Sequence, residues 1–426
     1  MSTVARPARR RVATIGTTDQ LRRNNLSNVL GLVHRSGPLS RAELTRITGL
    51  NRSTVGVVVA DLADLQLVSE QMPEKGAKAG RPSPVVHIDP RTVAIAVNPE
   101  VDAVHVGLVG LGGRVIEHIR VETVDAPSAE QVVELATAVI ADMLSRQDRR
   151  LRVTGIGVAV PGQVRLSDGQ LREATHMGWF EQPLAARFER STGLPVWAAN
   201  AAVLAMRAES TFGAGRGVDD LVYIIGGASG IGGGVLAGGR LLTGTAGYAG
   251  EFGHTFVRSG GNACQCGGHG CLEAEVTQQQ LLDSVGLSAA EAAGLAAALA
   301  ESQDPDVAAL VAKSLDLLGI VVRNAVNLFN PGVVVLSGFL AALHRAAVDD
   351  RTLIGEAIRP ARETVRIQDA ALGADQLMVG AAEIVFAELI ADPAAFLAPS
   401  SCVWGASPQP QMGLPTGETP RLRGAP

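Results

Sequence analysis

Four potential metal ligands lie close together in the middle of the chain and restrict how this region can fold. His254 is followed by Cys264, Cys266 and Cys271, so three of the four cysteines fall within eight residues. Thiolate sulfur and imidazole nitrogen together suit a tetrahedral Zn²⁺ ion, and four protein ligands make a closed, structural site. The intervening glycines let the loop fold back so that the sulfurs converge. We therefore expect a structural zinc; the alternatives are three unpaired thiols, or a disulfide in a secreted protein.

The start of the chain and its longest apolar stretch favour a cytoplasmic protein without membrane contact. No basic segment followed by an apolar one indicates a signal peptide. The longest uncharged apolar run, residues 221–239, is too rich in glycine for a membrane helix and predicts strand, turn and strand. A reducing cytoplasm keeps thiols free, which favours metal binding over a disulfide.

The charge distribution suggests two parts with different partners. A chain of 426 residues predicts two or three domains, and an apolar content of 46% is enough for a sizeable core. The net charge is −5, but residues 1–90 carry a balance of +6 and the remainder a balance of −11. A basic head on an acidic body is typical of a DNA-binding module joined to another domain. A solvated basic arm is the alternative interpretation.

Residues 19–90 show the pattern of a small helical domain. A first helix is predicted by apolar residues at helical spacing: Leu26, Val29, Leu30 and Val33. Ser40 and Glu43 predict a capping box at the start of a second helix, with Leu44 and Ile47 pointing inward. A glycine-containing turn follows, after which Asn51 can cap a third helix. Two short helices joined by such a turn predict a helix-turn-helix.

The third helix would read the major groove of double-stranded DNA. Its N-terminal residues are polar and lie where base edges would be: Asn51, Arg52, Ser53 and Thr54. Arg52 can donate two hydrogen bonds to guanine, while Ser53 or Thr54 can contact bases or phosphates. A basic loop before residues 85–88 predicts a wing, and Arg81 is our candidate for minor-groove insertion. A helical bundle used for dimerisation is the alternative.

From Pro90 onwards short strands alternate with helices. Three valine-rich runs predict an antiparallel meander: residues 92–97, 101–109 and 115–121. Further strands and helices follow in two comparable halves, including a hairpin with its turn at residues 226–230 and a helix over 305–329. This alternation predicts an α/β body of two lobes with a ligand site in the cleft between them.

These patterns predict four segments. Residues 1–18 would be a disordered basic arm and residues 19–90 a winged helix-turn-helix DNA-binding domain. Residues 91–391 would be the two-lobed body. Residues 392–426 are rich in Pro, Gly and Ser, which predicts a disordered tail.

The stretch from Gly226 to Glu273 resembles the ROK family, whose name joins repressors, open reading frames and kinases. The matching segments are Gly230–Gly234, Gly238–Leu242, Gly244–Gly247, Gly250–His254 and Cys264–Glu273, and Gly155–Gly162 is similar to another family segment. With the winged helix, the resemblance covers roughly residues 20–390. It implies an actin-like, sugar-kinase-type body of two lobes and a homodimer or homotetramer. It also implies that zinc holds the loop carrying sugar-contacting residues.

By this resemblance, four residues would contact a sugar effector: Asn200, Glu251, His254 and Glu273. His254 would also bind the zinc. Carboxylates and an amide suit a polyol, because each forms directional hydrogen bonds that an analogue lacking a hydroxyl leaves unpaired. Support of the zinc ligands is the alternative role for Glu251 and Glu273.

Three segments depart from the pattern of the family's kinases. Ala201 stands where those kinases have an aspartate that accepts the proton of the attacking hydroxyl, which a methyl group cannot do. Residues 97–102 replace the Asp-x-Gly-x-Thr turn that wraps the ATP phosphates; Pro99 removes a backbone donor and Glu100 would repel phosphate. Residues 337–339, Ser-Gly-Phe, replace a paired glycine that admits the nucleotide. We therefore expect no kinase activity.

Together these expectations predict a sequence-specific DNA-binding regulator of carbohydrate metabolism, acting as a repressor, with a non-catalytic sugar-kinase-like effector domain. A homo-oligomer would bind a palindromic operator, and a sugar or sugar derivative in the cleft would change the spacing of the heads. The alternatives are a sugar kinase with a DNA-binding head, and a ligand-free regulator controlled by a protein partner.

Overall fold

The N-terminal part of the protein is a small domain of three helices and a three-stranded antiparallel sheet. The structure is a computed structural model and describes residues 18–72, 83–148, 150–165, 168–347 and 349–398. The helices are α1 (Thr18–Ser36), α2 (Arg41–Thr48) and α3 (Arg52–Asp64). The strands are β1 (Leu39–Ser40), β2 (Val68–Gln71) and β3 (Val85–Ile88), with β3 in the centre. We call the described residues up to 90 the head.

Helix caps fix the turn between α2 and α3. The Glu43 N–H donates to Ser40 Oγ at 3.2 Å and the Ser40 N–H donates to Glu43 Oε2 at 2.8 Å, which is the predicted capping box. Gly49 ends α2 with a φ of 70°, and Asn51 caps α3. The inward position predicted for Ile47 is wrong, since its side chain is 44% exposed. Leu44 is the residue of this short helix that is buried.

Two predictions for the head fall on residues that the structure does not describe. The basic arm predicted over residues 1–18 reaches the described residues only at Thr18, which begins α1. Arg81, the minor-groove candidate, also lies outside the described residues. The strands that flank its loop, β2 and β3, are paired as the predicted wing requires.

The first lobe of the body is built on a mixed five-stranded sheet in the order β11-β7-β4-β5-β6. The strands of this lobe are β4 (Thr92–Pro99), β5 (Ala103–Gly110), β6 (Arg114–Glu122), β7 (Arg152–Val160), β8 (Gln163–Arg165), β9 (Gln170–Ala174), β10 (Trp179–Gln182) and β11 (Val196–Asn200). As predicted, β4, β5 and β6 form an antiparallel meander, whereas β7 is parallel to β4 and to β11. Helices α4 (Ala129–Ser145) and α5 (Leu184–Thr192) pack against the sheet.

Strands β8, β9 and β10 form a separate antiparallel sheet that the sequence pattern does not predict. Each of the three is only three to five residues long, and β8 and β9 pair with a shift in register. Such short, mostly polar segments lack the alternation that predicts a strand. Residues of this sheet and of the turn between β9 and β10 border the cleft between the lobes, among them Gln163 and His176.

The second lobe contains a five-stranded sheet in the order β14-β13-β12-β15-β16. Its strands are β12 (Leu221–Gly227), β13 (Gly230–Ala237), β14 (Arg240–Leu241), β15 (Val333–Gly338) and β16 (Arg366–Asp369). The remaining helices are α6 (Ala201–Phe212), α7 (Leu272–Glu275), α8 (Gln278–Ser284), α9 (Leu295–Glu301), α10 (Pro305–Phe329), α11 (Phe339–Ala346), α12 (Arg351–Ile354), α13 (Arg359–Arg362), α14 (Gln376–Ala391) and α15 (Pro393–Phe396).

The predicted hairpin of the second lobe is formed by β12 and β13, but its turn is shorter than predicted. The strands remain paired up to Gly227 and Gly230, so only Ala228 and Ser229 connect them. Gly230 has a φ of 105°, which permits this tight reversal and brings Ser229 to the edge of the cleft.

Helices α6 and α14 connect the two lobes. Helix α14 packs against β4, β5, β7 and β11 of the first sheet, and α6 contacts β12 and β13 of the second. The two helices also pack extensively against each other. Because α6 begins at the cleft, a change of lobe angle there would be transmitted directly to α14.

The head is joined to the body by a continuous apolar core. Residues of α1, such as Val33, belong to the same buried cluster as Val385, Phe386 and Leu389 of α14. His34 is only 2% exposed; its Nε2 lies 3.0 Å from Glu383 Oε1 of α14, and its Nδ1 accepts the Gly112 N–H at 2.9 Å. The head therefore has a defined position on the body in this conformation.

The disorder predicted from residue 392 onwards is wrong for the first residues of that segment. Asp392 caps the short helix α15 by accepting the Ala395 N–H at 3.2 Å, and it lies 3.2 Å from Arg23 of the head. The Phe396 ring stacks on Trp197, with centroids 6.2 Å apart. These contacts order residues that their composition alone does not. Residues 399–426 lie outside the described part of the chain.

One pair of helical segments in the second lobe is apolar enough to be compared with a membrane span. Only when combined do the segments Leu272–Ser284 and Ala289–Glu301 have the length and composition of a membrane span. The two segments meet at an angle of 91°. Their leucines contribute to the core of the lobe, among them Leu282 and Leu295. Within the described residues, no single helix is long and apolar enough to cross a membrane.

Candidate functional site

The four predicted metal ligands meet in one cluster. The ligand atoms of His254, Cys264, Cys266 and Cys271 all lie within 4.8 Å of one another. Cys264 Sγ is 3.6 Å from His254 Nδ1, and Cys266 Sγ is 3.8 Å from Cys271 Sγ. With a Zn–S bond of about 2.3 Å, tetrahedral geometry separates neighbouring sulfurs by about 3.8 Å. The donor atoms therefore have the spacing that a tetrahedral ion requires.

Backbone contacts hold the cysteine loop in this shape. An isolated β-bridge joins Ala263 and His269, and the Cys264 N–H donates to the Gly268 carbonyl at 2.8 Å. Gly270 has a φ of 72°, and a Cβ atom there would lie 1.9 Å from the Arg258 carbonyl oxygen. Only glycine fits at this position, which explains why a loop of three cysteines can fold back so tightly.

The thiols of the cluster are not paired as disulfides. Among the residues that the structure describes, Cys264, Cys266 and Cys271 are all free thiols, and no disulfide joins any two of them. Burial raises the pKa of Cys264 and Cys271, so both favour the protonated form unless a cation is near. A hydrogen bond from the Gly268 backbone lowers the pKa of Cys266. This donor set fits a metal ion that would keep all three as thiolates.

A cleft between the lobes brings the predicted effector residues together. It encloses about 90 Å³, and Asn200, Glu251, His254 and Glu273 all lie along its walls. Ala201 lies there as well. Residues as far apart in the chain as Asn200 and Glu273 thus face one cavity. The candidate metal cluster adjoins this cavity through His254, which belongs to both.

Glu273 lies between the metal cluster and the cleft. Its Oε1 is 3.4 Å from His254 Nδ1 and 3.6 Å from His176 Nε2, and the Ile231 N–H donates to its Oε2 at 3.3 Å. Cys264 Sγ is also within 3.4 Å of Oε1. Burial alone would raise the pKa of Glu273, but the hydrogen bond from His176 and the neighbouring His254 lower it below its usual value. Glu273 therefore contacts both the metal ligands and the cleft.

Glu251 faces the cleft from the same loop as His254. Its Oε2 lies 4.0 Å from His254 Nε2, on the side of the ring opposite the metal cluster. Burial raises the pKa of Glu251, and the proximity of His254 partly offsets this. The imidazole can thus bind a metal through Nδ1 while its Nε2 faces Glu251 and the cleft.

Asn200 and Ala201 mark the start of α6 at the cleft. Asn200 Oδ1 accepts the Val203 N–H at 3.1 Å, and its Nδ2 donates to the Gly162 carbonyl at 2.9 Å. Much of the hydrogen-bonding capacity of this amide is therefore used to cap α6 and to bind the backbone that follows β7. Ala201 is 9% exposed and presents only a methyl group to the cleft.

The end of β4 and the turn of the β12–β13 hairpin meet at one end of the cleft. The Ser229 hydroxyl donates to the Glu100 carboxylate, so this bond joins the two lobes. Asn98 is buried and donates to the Ala159 carbonyl at 3.0 Å, which occupies it inside the first lobe. Phe339 packs against Gly226, where an added Cβ would lie 2.4 Å from the ring. Of the three departures from the kinase pattern, Glu100 and Ala201 line the cleft, whereas Phe339 packs behind strand β12.

The N-terminus of α3 presents the predicted DNA-contacting residues at the surface. Asn51, Arg52 and Ser53 are exposed and Thr54 is half-buried. Asn51 Oδ1 accepts the Ser53 hydroxyl at 2.7 Å and the Thr54 N–H at 2.8 Å, so the cap orders these side chains. Residues 55, 58, 59 and 62 of α3 are buried as predicted. The polar residues therefore lie on the free face of the helix.

Sequence reasoning missed two residues that the structure places beside these sites. His176, in a 3₁₀ turn over residues 175–177, lines the cleft next to Glu273. No motif surrounds it, and no spacing in the chain signals it. Val57 is 60% exposed on the free face of α3. Its offset from the buried valines on a helical wheel is a signal that would have identified it.

Comparison with known proteins agrees with this architecture. Residues 95–388 match the ROK family over more than half of the chain. The chain belongs to the ROK family. Among curated relatives, the xylose repressor of Caldicellulosiruptor bescii is 25% identical, over 89% of this chain and 99% of its own length.

Solved structures of the ROK family also match this chain. One is a ROK family transcriptional regulator described as a homolog of the E. coli MLC protein, with a TM-score of 0.69, 25% identity, and coverage of 87% of this chain and 97% of its own. Another is a ROK family glucokinase from Streptomyces griseus in complex with glucose and AMPPNP, with a TM-score of 0.58 and 28% identity. That match covers 68% of this chain and 98% of the glucokinase. The relatives thus include both a regulator and a kinase.

Proposed function

We propose that this protein is a DNA-binding transcriptional repressor of carbohydrate metabolism whose ROK body binds a sugar effector and transfers no phosphate. The observation that carries this proposal is the presence, in one chain, of a helix-turn-helix head and a sugar-kinase-like cleft that share an apolar core. The xylose repressor matches head and body together, whereas the glucokinase covers a share of the chain close to that of the body alone.

DNA would be bound by the head, over residues 19–90, and sugar by the body, over residues 91–391. Arg52 would contact guanine in the major groove, with Asn51, Ser53 and Thr54 contacting bases or phosphates beside it. Arg81 would enter the minor groove. A homodimer or homotetramer in the cytoplasm would place two heads on the half-sites of a palindromic operator.

In the cleft, Glu251 and Glu273 would accept hydrogen bonds from sugar hydroxyls, and His254 Nε2 would contact another. Asn200 would position the start of α6 and add a contact of its own. A sugar bridging the lobes would favour one lobe angle, and α6 and α14 would pass this change to the head. The change in the free energy of DNA binding is then limited by how differently the sugar binds the two lobe arrangements.

We further propose that the metal ion is Zn²⁺, bound by His254, Cys264, Cys266 and Cys271. Such an ion supplies structural cross-linking of the loop rather than reaction chemistry, because four protein ligands leave no open position. Its role would be to hold His254, and through it Glu251 and Glu273, against the cleft.

The DNA-binding part of this proposal is tested with an operator selected from random double-stranded DNA. In fluorescence anisotropy, Arg52→Ala should weaken binding by about 1–3 kcal/mol and change the preference at one base pair, because a bidentate contact is lost. Arg190→Ala removes an exposed arginine from α5 of the body and should leave binding unchanged. Equal affinity of the wild-type and Arg52→Ala proteins would show that α3 does not read the operator.

The effector part is tested by repeating the titration with a panel of sugars. At least one sugar should shift operator affinity by roughly 5-fold or more, the usual range of allosteric coupling. An affinity that is the same with every sugar would contradict an effector role for the cleft and favour control by a protein partner.

The similarity to the glucokinase bound to glucose and AMPPNP favours a sugar kinase as the second candidate. Against it, Ala201 offers no carboxylate to accept the proton of an attacking hydroxyl, and Glu100 places a carboxylate at one end of the cleft. A coupled ATP assay over the same sugars distinguishes the two functions. ATP-dependent phosphorylation of any sugar would contradict the proposal that the body is not catalytic.

A further inference from the structure

We propose that Glu100 selects the effector: its carboxylate closes one end of the cleft against phosphorylated sugars, so that the effector is an unphosphorylated polyol. This inference rests on the proposed effector role of the cleft and assigns that effector a chemical class. It extends the role of Glu100 from a departure from the kinase pattern to a determinant of which effector can bind.

Glu100 is held at the cleft by both lobes. It follows β4, and its N–H donates to the Ala103 carbonyl at 2.8 Å, which fixes the turn into β5. Its carboxylate accepts the Ser229 hydroxyl from the opposite lobe. Ser229 precedes Gly230, where an added Cβ would lie 2.7 Å from Glu273 Oε2 and 3.0 Å from His176 Nε2. Only the short β12–β13 turn therefore separates Glu100 from the predicted sugar-contacting residues.

The walls of the cleft carry negative charge without a permanent positive charge to balance it. Three carboxylates line the cleft, those of Glu100, Glu251 and Glu273, and among the described residues along its walls there is no lysine or arginine. Protein sites for phosphate commonly use the side chains of arginine or lysine to balance its negative charge. A sugar phosphate would bring its charge to a cleft that offers none of these side chains.

The arginine whose charge acts on Glu100, Arg120, has only a minor effect on its pKa and is already paired with other carboxylates. Arg120 forms an ion pair with Asp102 at 2.8 Å and another with Glu122 at 2.6 Å. The start of α6 also faces the cleft, and a helix N-terminus attracts anions. However, Asn200 Oδ1 already accepts the Val203 N–H there, which reduces the number of free donors. Neither group therefore compensates for the three carboxylates.

Poor solvation makes this repulsion strong. Burial raises the pKa of Glu100 to about 7, and the hydrogen bond from Ser229 offsets this only in part. An environment that disfavours one carboxylate charge disfavours the addition of a doubly charged phosphate even more. A neutral hydroxyl, in contrast, can replace Ser229 as the donor to Glu100.

The experiment measures the affinity of the full-length protein for matched pairs of ligands by isothermal titration calorimetry. The pairs are D-glucose with glucose 6-phosphate, N-acetylglucosamine with its 6-phosphate, and D-xylose with its 5-phosphate, at about pH 8, where Glu100 is ionised. For at least one pair, the wild-type protein should bind the free sugar more tightly by roughly tenfold or more. Glu100→Gln, which keeps the shape and removes the charge, should reduce this ratio by roughly tenfold, mainly by strengthening binding of the phosphate.

Ser229→Ala is the matched control, because it removes the hydrogen bond between the lobes but leaves the Glu100 carboxyl group in place, and it is measured at about pH 9 beside the wild type so that Glu100 stays ionised. This variant should retain the wild-type ratio, and thermal melting should show that both variants are folded. A wild-type preference for a sugar phosphate, or a ratio that Glu100→Gln leaves unchanged, would overturn the proposal. If no ligand of any pair bound to the wild type, the proposed effector role of the cleft would itself fail, and the selection with it.

Discussion

Glu273 connects two structures that are usually considered separately, the metal cluster and the ligand cleft. Its carboxylate is close to the imidazole of His254, a candidate metal ligand, on one side and to His176 in the cleft on the other. A movement of the cysteine loop would therefore displace a group that faces the ligand. Loss of the metal should consequently change effector binding as well as stability.

The first residue-scale prediction concerns the metal. Cys266→Ser removes one ligand of the cluster, so the purified protein should lose its bound Zn²⁺ because three ligands hold the ion less tightly. The free energy of unfolding should fall by more than about 2 kcal/mol. Metal analysis by mass spectrometry and chemical denaturation measure the two effects.

A matched control is available in the fourth cysteine of the chain. Cys402→Ser changes a residue outside the cluster and should leave both the metal content and the unfolding free energy at the wild-type values. If Cys266→Ser behaved like Cys402→Ser in both measurements, the cluster would not be a structural metal site.

At this scale, the sequence predicts well where short-range spacing decides the geometry. The cysteines lie within eight residues, and the glycines among them leave few ways to fold the loop. His176 could not be found in this way, because its partner Glu273 is nearly a hundred residues away in the chain. For Glu273 itself, sugar contact and support of the metal were both predicted, and the geometry is compatible with both.

Among the individual elements, the pair β5 and β6 contains an unusual contact between two histidines. His105 Nδ1 lies 3.0 Å from His118 Nε2, and His118 Nδ1 lies 3.8 Å from Asp375. Burial, with a smaller contribution from the neighbouring His118, lowers the pKa of His105 to about 4. Both rings are therefore held in their neutral form at neutral pH.

This strand pair predicts a dependence of stability on pH. The pKa of His105 is lower in the folded than in the unfolded protein, so the unfolded state binds more protons as the pH falls below 6.5. The contribution of His105 to the free energy of unfolding is thus fully present above pH 6.5, and it is lost as the pH falls from 6.5 to about 4. After allowance for solvent screening, the loss from His105 is roughly 2 kcal/mol at most. Urea denaturation across this range measures it.

The comparison variant is His105→Gln, which keeps a polar side chain that does not titrate. Its unfolding free energy should depend less steeply on pH between 6.5 and 4 than that of the wild type. Identical slopes for the two proteins would show that His105 does not contribute to the acid sensitivity of the fold.

The elements themselves were predicted from the sequence to different degrees. Helix α1 and the meander β4-β5-β6 have strong apolar periodicity, and both are present. Strands β8 to β10 carry no such signal, because long-range packing rather than local pattern forms them. Helix α15 is a related case: stacking of Phe396 on Trp197 and the Arg23–Asp392 ion pair order a segment whose composition predicts disorder.

At the scale of the whole molecule, the apolar contact between head and body includes one buried polar pair, His34 and Glu383. Because His34 Nδ1 accepts the Gly112 N–H, the ring carries its proton on Nε2 and donates it to Glu383. The side chains of His34 and Glu383 are 1% and 10% exposed. A polar group so buried is stable only with its partner present.

This pair predicts a characteristic pattern in a double-mutant cycle. His34→Ala leaves the Glu383 carboxylate buried without its partner and should lower the free energy of unfolding by about 3–5 kcal/mol. Replacing both residues by leucine removes the polar groups together and should restore much of that loss, because no unpaired charge remains. Chemical denaturation of the single and double variants provides the comparison. A double variant that is as unstable as His34→Ala would contradict this account of the interface.

The arrangement of head and body could not be predicted from the sequence. His34 and Glu383 are 349 positions apart, and no local pattern indicates that α1 and α14 share a core. The composition indicates two kinds of domain, but not which surfaces of them meet. Which surfaces meet depends on three-dimensional packing between residues that are far apart in the chain.

The shared core has a practical consequence for engineering. A chimeric regulator made by cutting this chain near residue 90 and fusing the head to an unrelated body would leave the apolar side of α1 open to water. The apolar side chains of α1 that now contact α14 would then be exposed, and the fusion would aggregate or bind other proteins nonspecifically. Transplanting the reading specificity instead requires exchanging only the outward-facing residues of α3, while α1 stays with the α14 against which it packs.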